Sequence, residues 1–119
     1  YTAISKEGAT IAFLDTAAKQ KGWKTIFNRK NAWVQYNSVD FGSKKSRFVD
    51  LNTISATGGT VEIRLDRING PLLCKVNVAK NSEWTTIYTA LTQIPAGVHH
   101  LFAVNAEDKS VEIDFLSFK

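Results

Sequence analysis

The feature that most constrains this chain is a rhythm of short alternating runs, each closed by glycine, proline or asparagine. Val61, Ile63 and Leu65 alternate with Glu62, Arg64 and Asp66. A period of two puts the apolar side chains on one strand face and the charged ones on the other. Leu72, Cys74, Val76 and Val78 share a face in the next run, and His100, Phe102 and Val104 do so later. Val111, Ile113 and Phe115 close the chain, with Glu112 and Asp114 opposite them. Trp33, Tyr36, Val39 and Phe41 occupy an aromatic, β-branched stretch of the kind that fits a pleated surface. Turn signals stand between the runs at Phe41-Gly42-Ser43, Thr57-Gly58-Gly59, Asn69-Gly70-Pro71, Lys80-Asn81-Ser82 and Pro95-Ala96-Gly97. Short strands at roughly 8–12-residue intervals specify an all-β chain, and their number, about eight or nine, suits a two-sheet antiparallel β-sandwich. Only Leu14 to Lys21 reads as either a short helix or a loop.

A chain of 119 residues matches a single hydrophobic core, so residues 1–119 are read as one domain and as a monomer. It begins at Tyr1 and contains no Met, and is read as a piece of a longer protein. No apolar run is long enough to span a bilayer as a helix, and no membrane partner is expected. The charge is uneven: residues 1–47 carry nine Lys/Arg against three acids, within a net charge of +4. That excess raises nucleic-acid binding as a possibility, but no zinc-finger spacing, RNP-like strand or recognition-helix pattern supports it. A solvated basic face is the simpler reading.

Catalytic chemistry is equally hard to assemble. Glu112 and Asp114 lie on one strand face with Cβ atoms roughly 7 Å apart, which suits ion pairing or a metal contact better than carboxylates opposed across a cleft. His99 and His100 are adjacent in a strand and point to opposite faces, so they cannot chelate one metal together. The single cysteine, Cys74, lies on an apolar face and reads as inert core. No nucleophile motif is present. Among the aromatics Trp84 stands out, because it follows the polar turn Lys80-Asn81-Ser82-Glu83 and opens a strand. An indole there is either a core plug or an exposed platform for the C–H face of a sugar.

Several segments, in order, resemble family 6 carbohydrate-binding modules. They are Ala32-Trp33-Val34-Gln35-Tyr36-Asn37-Ser38-Val39-Asp40-Phe41-Gly42, Gly58 to Asp66 with Asn69-Gly70-Pro71-Leu72, Trp84-Thr85-Thr86, Gly97 to Leu101, and Ile113 to Phe118. The resemblance implies a galactose-binding-like jelly roll and a non-catalytic module attached to a secreted, periplasmic or cell-surface glycoside hydrolase. It implies a β-linked glycan as partner, such as xylan, β-glucan or a galactan. By position, the two rings that clasp a sugar fall on Trp84 and Phe27, and the polar cleft residue falls on Glu112. Trp33 and Tyr36 match positions that mostly pack the core. The family's structural calcium would use Asp114 and carbonyls near Lys21 to Lys24. The family's Glu-x-Glu calcium ligands would precede Tyr1. Phe27 and Glu112 depart from the family's usual residues. They support an alternative, a structural accessory jelly roll with a vestigial sugar cleft. The basic excess would favour acidic glycans.

Overall fold

Every one of those turn signals ends or opens a strand. In the computed structural model, residues 3–4, 9–13, 23–42 and 47–118 are described. They form ten strands: β1 (Ala3–Ile4), β2 (Ala9–Phe13), β3 (Trp23–Phe27), β4 (Trp33–Asp40), β5 (Phe48–Ser55), β6 (Gly59–Leu65), β7 (Leu72–Val78), β8 (Asn81–Ala90), β9 (Val98–Asn105) and β10 (Val111–Phe118). The count exceeds the eight or nine expected because β1 is a two-residue strand, too short to give a periodic signal. No helix occurs among the described residues, and Leu14 to Lys21 lies outside them.

The strands form two antiparallel sheets, ordered β1-β4-β9-β6-β7 and β2-β3-β10-β5-β8. Only β2–β3 and β6–β7 are consecutive strands of one sheet; every other connection switches sheets. This is a jelly-roll β-sandwich, with residues distant in sequence made neighbours across each sheet.

The core lies between the sheets. Val61, Ile63 and Leu65 point inward, as their alternation predicts, against Val34, Val49, Leu51, Leu101, Val111 and Ile113. Cys74, Val76 and Val78 also point inward, but Leu72 is only half-buried. A register shift between Ile63 and Arg64 breaks the alternation at that end of β7, and Leu73 becomes fully buried instead. Strand β9 departs further from expectation. Leu101 and Ala103 enter the core cluster, while Phe102 and Val104 are buried on the opposite face. There Phe102 meets Trp33 edge to face, with centroids 5.5 Å apart. Trp33 therefore stands on the outer side of its sheet, because Val34 takes the core position. Tyr36 does pack against the core, and burial raises its phenol above the ordinary value.

Asn105 is a fully buried polar residue whose amide fastens two loops together. Its Nδ2 donates to the Arg29 and Lys109 carbonyls at 3.0 and 2.8 Å. The β3–β4 turn and the β9–β10 turn are thus held side by side.

Candidate functional site

The outer face of the second sheet carries Glu112 and Asp114, and Trp84 stands at the edge of the same sheet. Strand β8 is the edge strand there, and its pairing with β5 is irregular. Ser55 faces Asn81 and Thr53 faces Thr85, so Ser82, Glu83 and Trp84 bulge out opposite Ile54 alone. Bulges of this kind re-aim side chains at sheet edges. Asn81 shapes this one: its Oδ1 accepts the Glu83 N–H at 2.8 Å and its Nδ2 donates to the Thr85 hydroxyl. Trp84 is half-buried and is the last residue of the bulge, next to Thr85 and Thr86, which face Thr53 and Asn52.

Glu112 approaches from the other side. In β10 it is directly opposite the same Ile54. Trp84 and Glu112 therefore flank Ile54 on strands about 10 Å apart, two strand spacings. Glu112 pairs with Lys24 of β3 at 2.5 Å, both side chains being about three-quarters buried. The carboxylate offers only acceptors and the ammonium only donors, so the pair presents both. Farther along this face, Asn52 donates to Asp114 at 3.1 Å and accepts from the Thr86 hydroxyl at 3.5 Å.

Phe27 does not join this group. It is fully buried, inside the sandwich, opposite Val111. Thr25 and Phe27 point into the core, and Lys24 and Ile26 occupy the face shared with Glu112. A ring with no exposed face cannot stack on a sugar, so its expected role as second cleft wall is corrected here.

Asp114 sits at a register shift between Ile113 and Phe115, with its carboxylate engaged by Asn52. Calcium prefers six to eight oxygens. Among the described residues no cluster of three His, Cys, Asp or Glu could hold a metal, so these residues alone do not build the site. The stretch Lys21–Gly22 lies outside the described residues.

The outer face of the first sheet holds a groove that sequence reasoning missed. Two adjoining cavities of about 410 and 520 Å³ share Asn31 and Glu62 in their walls. Arg64 binds the Glu62 carboxylate through Nε and Nη2 at 3.3 and 3.2 Å, and donates from Nη1 to the Gly70 carbonyl at 2.8 Å. Lys75 lies 3.9 Å from the other oxygen of Glu62. Val104 supplies an apolar patch beside this cluster. The available signal was Glu-x-Arg on the wet face of β6. Lys75 and Val104 meet Glu62 only through strand register.

His99 is held between two acceptors, and Cys74 is buried in the core. The Nδ1 of His99 lies 3.0 Å from Asp66, and its Nε2 lies 2.7 Å from the Ala96 carbonyl. Both partners accept, so the arrangement favours imidazolium. The hydrogen bond to Asp66 raises His99, and the same bond lowers Asp66. Burial pushes the Cys74 thiol up to about 11, out of the thiolate range at neutral pH.

A sequence profile of the family described as "Carbohydrate binding module (family 6)" matches residues 4–119. The chain belongs to that family. Modules of that family bind carbohydrate, and the hydrolases that match do so over only part of their own length. Over 75 residues the module is 35% identical to the arabinoxylan arabinofuranohydrolase of Bacillus subtilis (strain 168). That match spans 60% of this chain but only 14% of the enzyme. The module superposes on a family 6 module from Clostridium cellulolyticum, solved with xylose, with a TM-score of 0.86 and 25% identity, covering 100% of this chain and 91% of that one. A glycoside hydrolase family 43 arabinoxylan arabinofuranohydrolase from B. subtilis, solved with cellotetraose, matches with a TM-score of 0.74 and 27% identity, over 82% of this chain and 21% of that one. A more distant module with the same fold, of family 36, was solved with calcium and xylotriose; its TM-score is 0.72 at 15% identity, over 98% of this chain and 92% of that one.

Proposed function

We propose that this module captures a β-linked glycan of the xylan class on the outer face of its second sheet, with Trp84 as the stacking platform. The observation that carries the reading is the convergence of Trp84 and the Glu112–Lys24 pair around Ile54. An indole buries the C–H face of a pyranose, and charged groups beside it exchange hydrogen bonds with the hydroxyls. Lys24 supplies the donor that Glu112 lacks. The related module solved with xylose, and the arabinoxylan enzyme that contains a matching stretch, support the choice of glycan class. On this reading the module tethers a glycoside hydrolase to its polymer and raises the effective substrate concentration. A polymer too large to enter a cell places that work at the cell surface, in the periplasm or in the medium.

Affinity electrophoresis through gels containing arabinoxylan, β-glucan or agarose tests this. Wild-type retardation by arabinoxylan is expected, with Trp84→Ala weakening binding about thirtyfold, the consequence of losing about 2 kcal/mol at an aromatic anchor. Unchanged retardation in Trp84→Ala sinks the assignment. If Arg64→Ala loses binding while Trp84→Ala keeps it, the site lies in the groove of the first sheet. The burial of Phe27 leaves one expected ring in place and favours the second reading, a structural accessory domain. Wild-type protein running freely through all three gels supports that reading. A calcium, if held, takes Asp114 as a carboxylate ligand. Added calcium then raises the melting temperature of chelator-treated protein, and Asp114→Asn abolishes the rise.

A further inference from the structure

Farther along β8 from the half-buried Trp84 stands an exposed aromatic, Tyr88. We propose that Tyr88, backed by Phe48, is a further stacking platform that engages another residue of the same glycan chain, so that the module grips an extended internal stretch rather than a single sugar. This rests on the reading of Trp84 as a platform. Register places Thr86 and Tyr88 on the face of Asn52 and Asp50, with Thr85 and Ile87 on the other, and Trp84 precedes them at the end of the bulge. The span from Trp84 to Tyr88 is about 13 Å along the strand, wider than one pyranose, so the two rings can serve different residues of one chain.

Tyr88 is 58% exposed, unusually so for a large aromatic side chain. It is not loose, however. Its ring stacks on Phe48 with centroids 4.6 Å apart and planes 15° from parallel. A ring braced on one face and open to solvent is pre-organised, which lowers the ordering cost of binding. The interval between the two rings is polar. Thr86 and Asn52 face each other there, and Asn52 continues to Asp114. Asp50 is directly opposite Tyr88. Aromatic platforms separated by hydroxyl, amide and carboxylate groups suit a glycan, whose apolar faces and hydroxyl edges recur along the chain. Strand β8 is the last in its sheet, so a long polymer can lie along it without meeting another strand.

Isothermal titration of the whole module with xylobiose and xylohexaose, and with cellobiose and cellohexaose, tests the proposal. Wild-type affinity is expected to rise from the disaccharide to the hexaose in at least one series. Tyr88→Ala should weaken hexaose binding about tenfold and disaccharide binding by a smaller factor, while Tyr88→Phe retains most of the affinity. Unchanged hexaose binding in Tyr88→Ala, with Trp84→Ala inactive, overturns this inference and leaves the Trp84 reading standing. Unchanged binding in Trp84→Ala overturns the Trp84 reading. Failure of the wild type to bind either hexaose overturns both. A shift in sedimentation between wild type and Tyr88→Ala, with no change in affinity, would make the patch a contact between two copies and also overturn the inference.

Discussion

Phe27→Ala separates the position expected from family resemblance from the one the fold imposes. If Phe27 walled a cleft, truncation would weaken glycan binding and leave stability nearly intact. The structure places the ring at 0% exposure, facing Val111 and beside the Ile113 and Val34 core. Removing a fully buried phenyl loses its transfer free energy and leaves a cavity that strands on both sheets cannot close, a cost of about 3–5 kcal/mol. At about 2.1 cal/mol/K per residue, unfolding 119 residues carries an entropy of about 250 cal/mol/K, so each kcal/mol shifts the midpoint by about 4 °C. The melting temperature should therefore fall by about 12–20 °C. Thermal unfolding followed by near-ultraviolet circular dichroism measures this, with Phe27→Leu expected to fall much less. Below its lowered midpoint, Phe27→Ala should still bind glycan. A variant that melts within a few degrees of wild type and loses binding would refute the reasoning.

Trp84→Ala should show the reverse pattern, a large loss of binding with a small change in midpoint, since the indole is only half-buried. The His99–Asp66 contact makes stability depend on pH in two windows. His99 is raised from 6.5, so its contribution is full below that value and disappears as pH rises through the higher folded value. Asp66 is lowered from 3.8, so its contribution is present above that value and is lost as pH falls through the lower folded value. Urea midpoints from pH 3 to 9 should lose both features in His99→Gln; an unaltered profile would show that the contact is too well solvated to matter. Gly70→Ala should destabilise by about 1–3 kcal/mol, because a Cβ there would lie 2.0 Å from the Leu65 carbonyl oxygen. Cys74 should resist thiol-modifying reagents at pH 8 until denaturant is added, and rapid labelling of the native protein would contradict its burial.

What the amino-acid sequence determined by itself is local and periodic. The alternation of Val61, Ile63 and Leu65 with Glu62 and Arg64 set which face of β6 would be buried, because a period of two leaves no other arrangement. Turn residues placed the strand ends, and Gly58 adopts the left-handed φ of +77° that its turn requires. The ordered motifs from Trp33 to Phe118 were sufficient for the family. Pairing between distant strands decided the rest. Phe27 was given the wrong face because a position carried over from a motif says nothing about side-chain direction. Phe102 and Val104 share a face as expected, yet it is not the core face, since a strand covered on both sides shows no alternation to read. The bulge at Ser82–Trp84 and the slip beside Leu73 each disturb the count of two, and neither leaves a signature beyond a few polar residues. Glu112 and Trp84 come to lie on either side of Ile54 only because the sheet sets strands from distant parts of the chain side by side. Local sterics fix a strand, but long-range register decides which side chains share a surface, and only the folded sandwich contains that register.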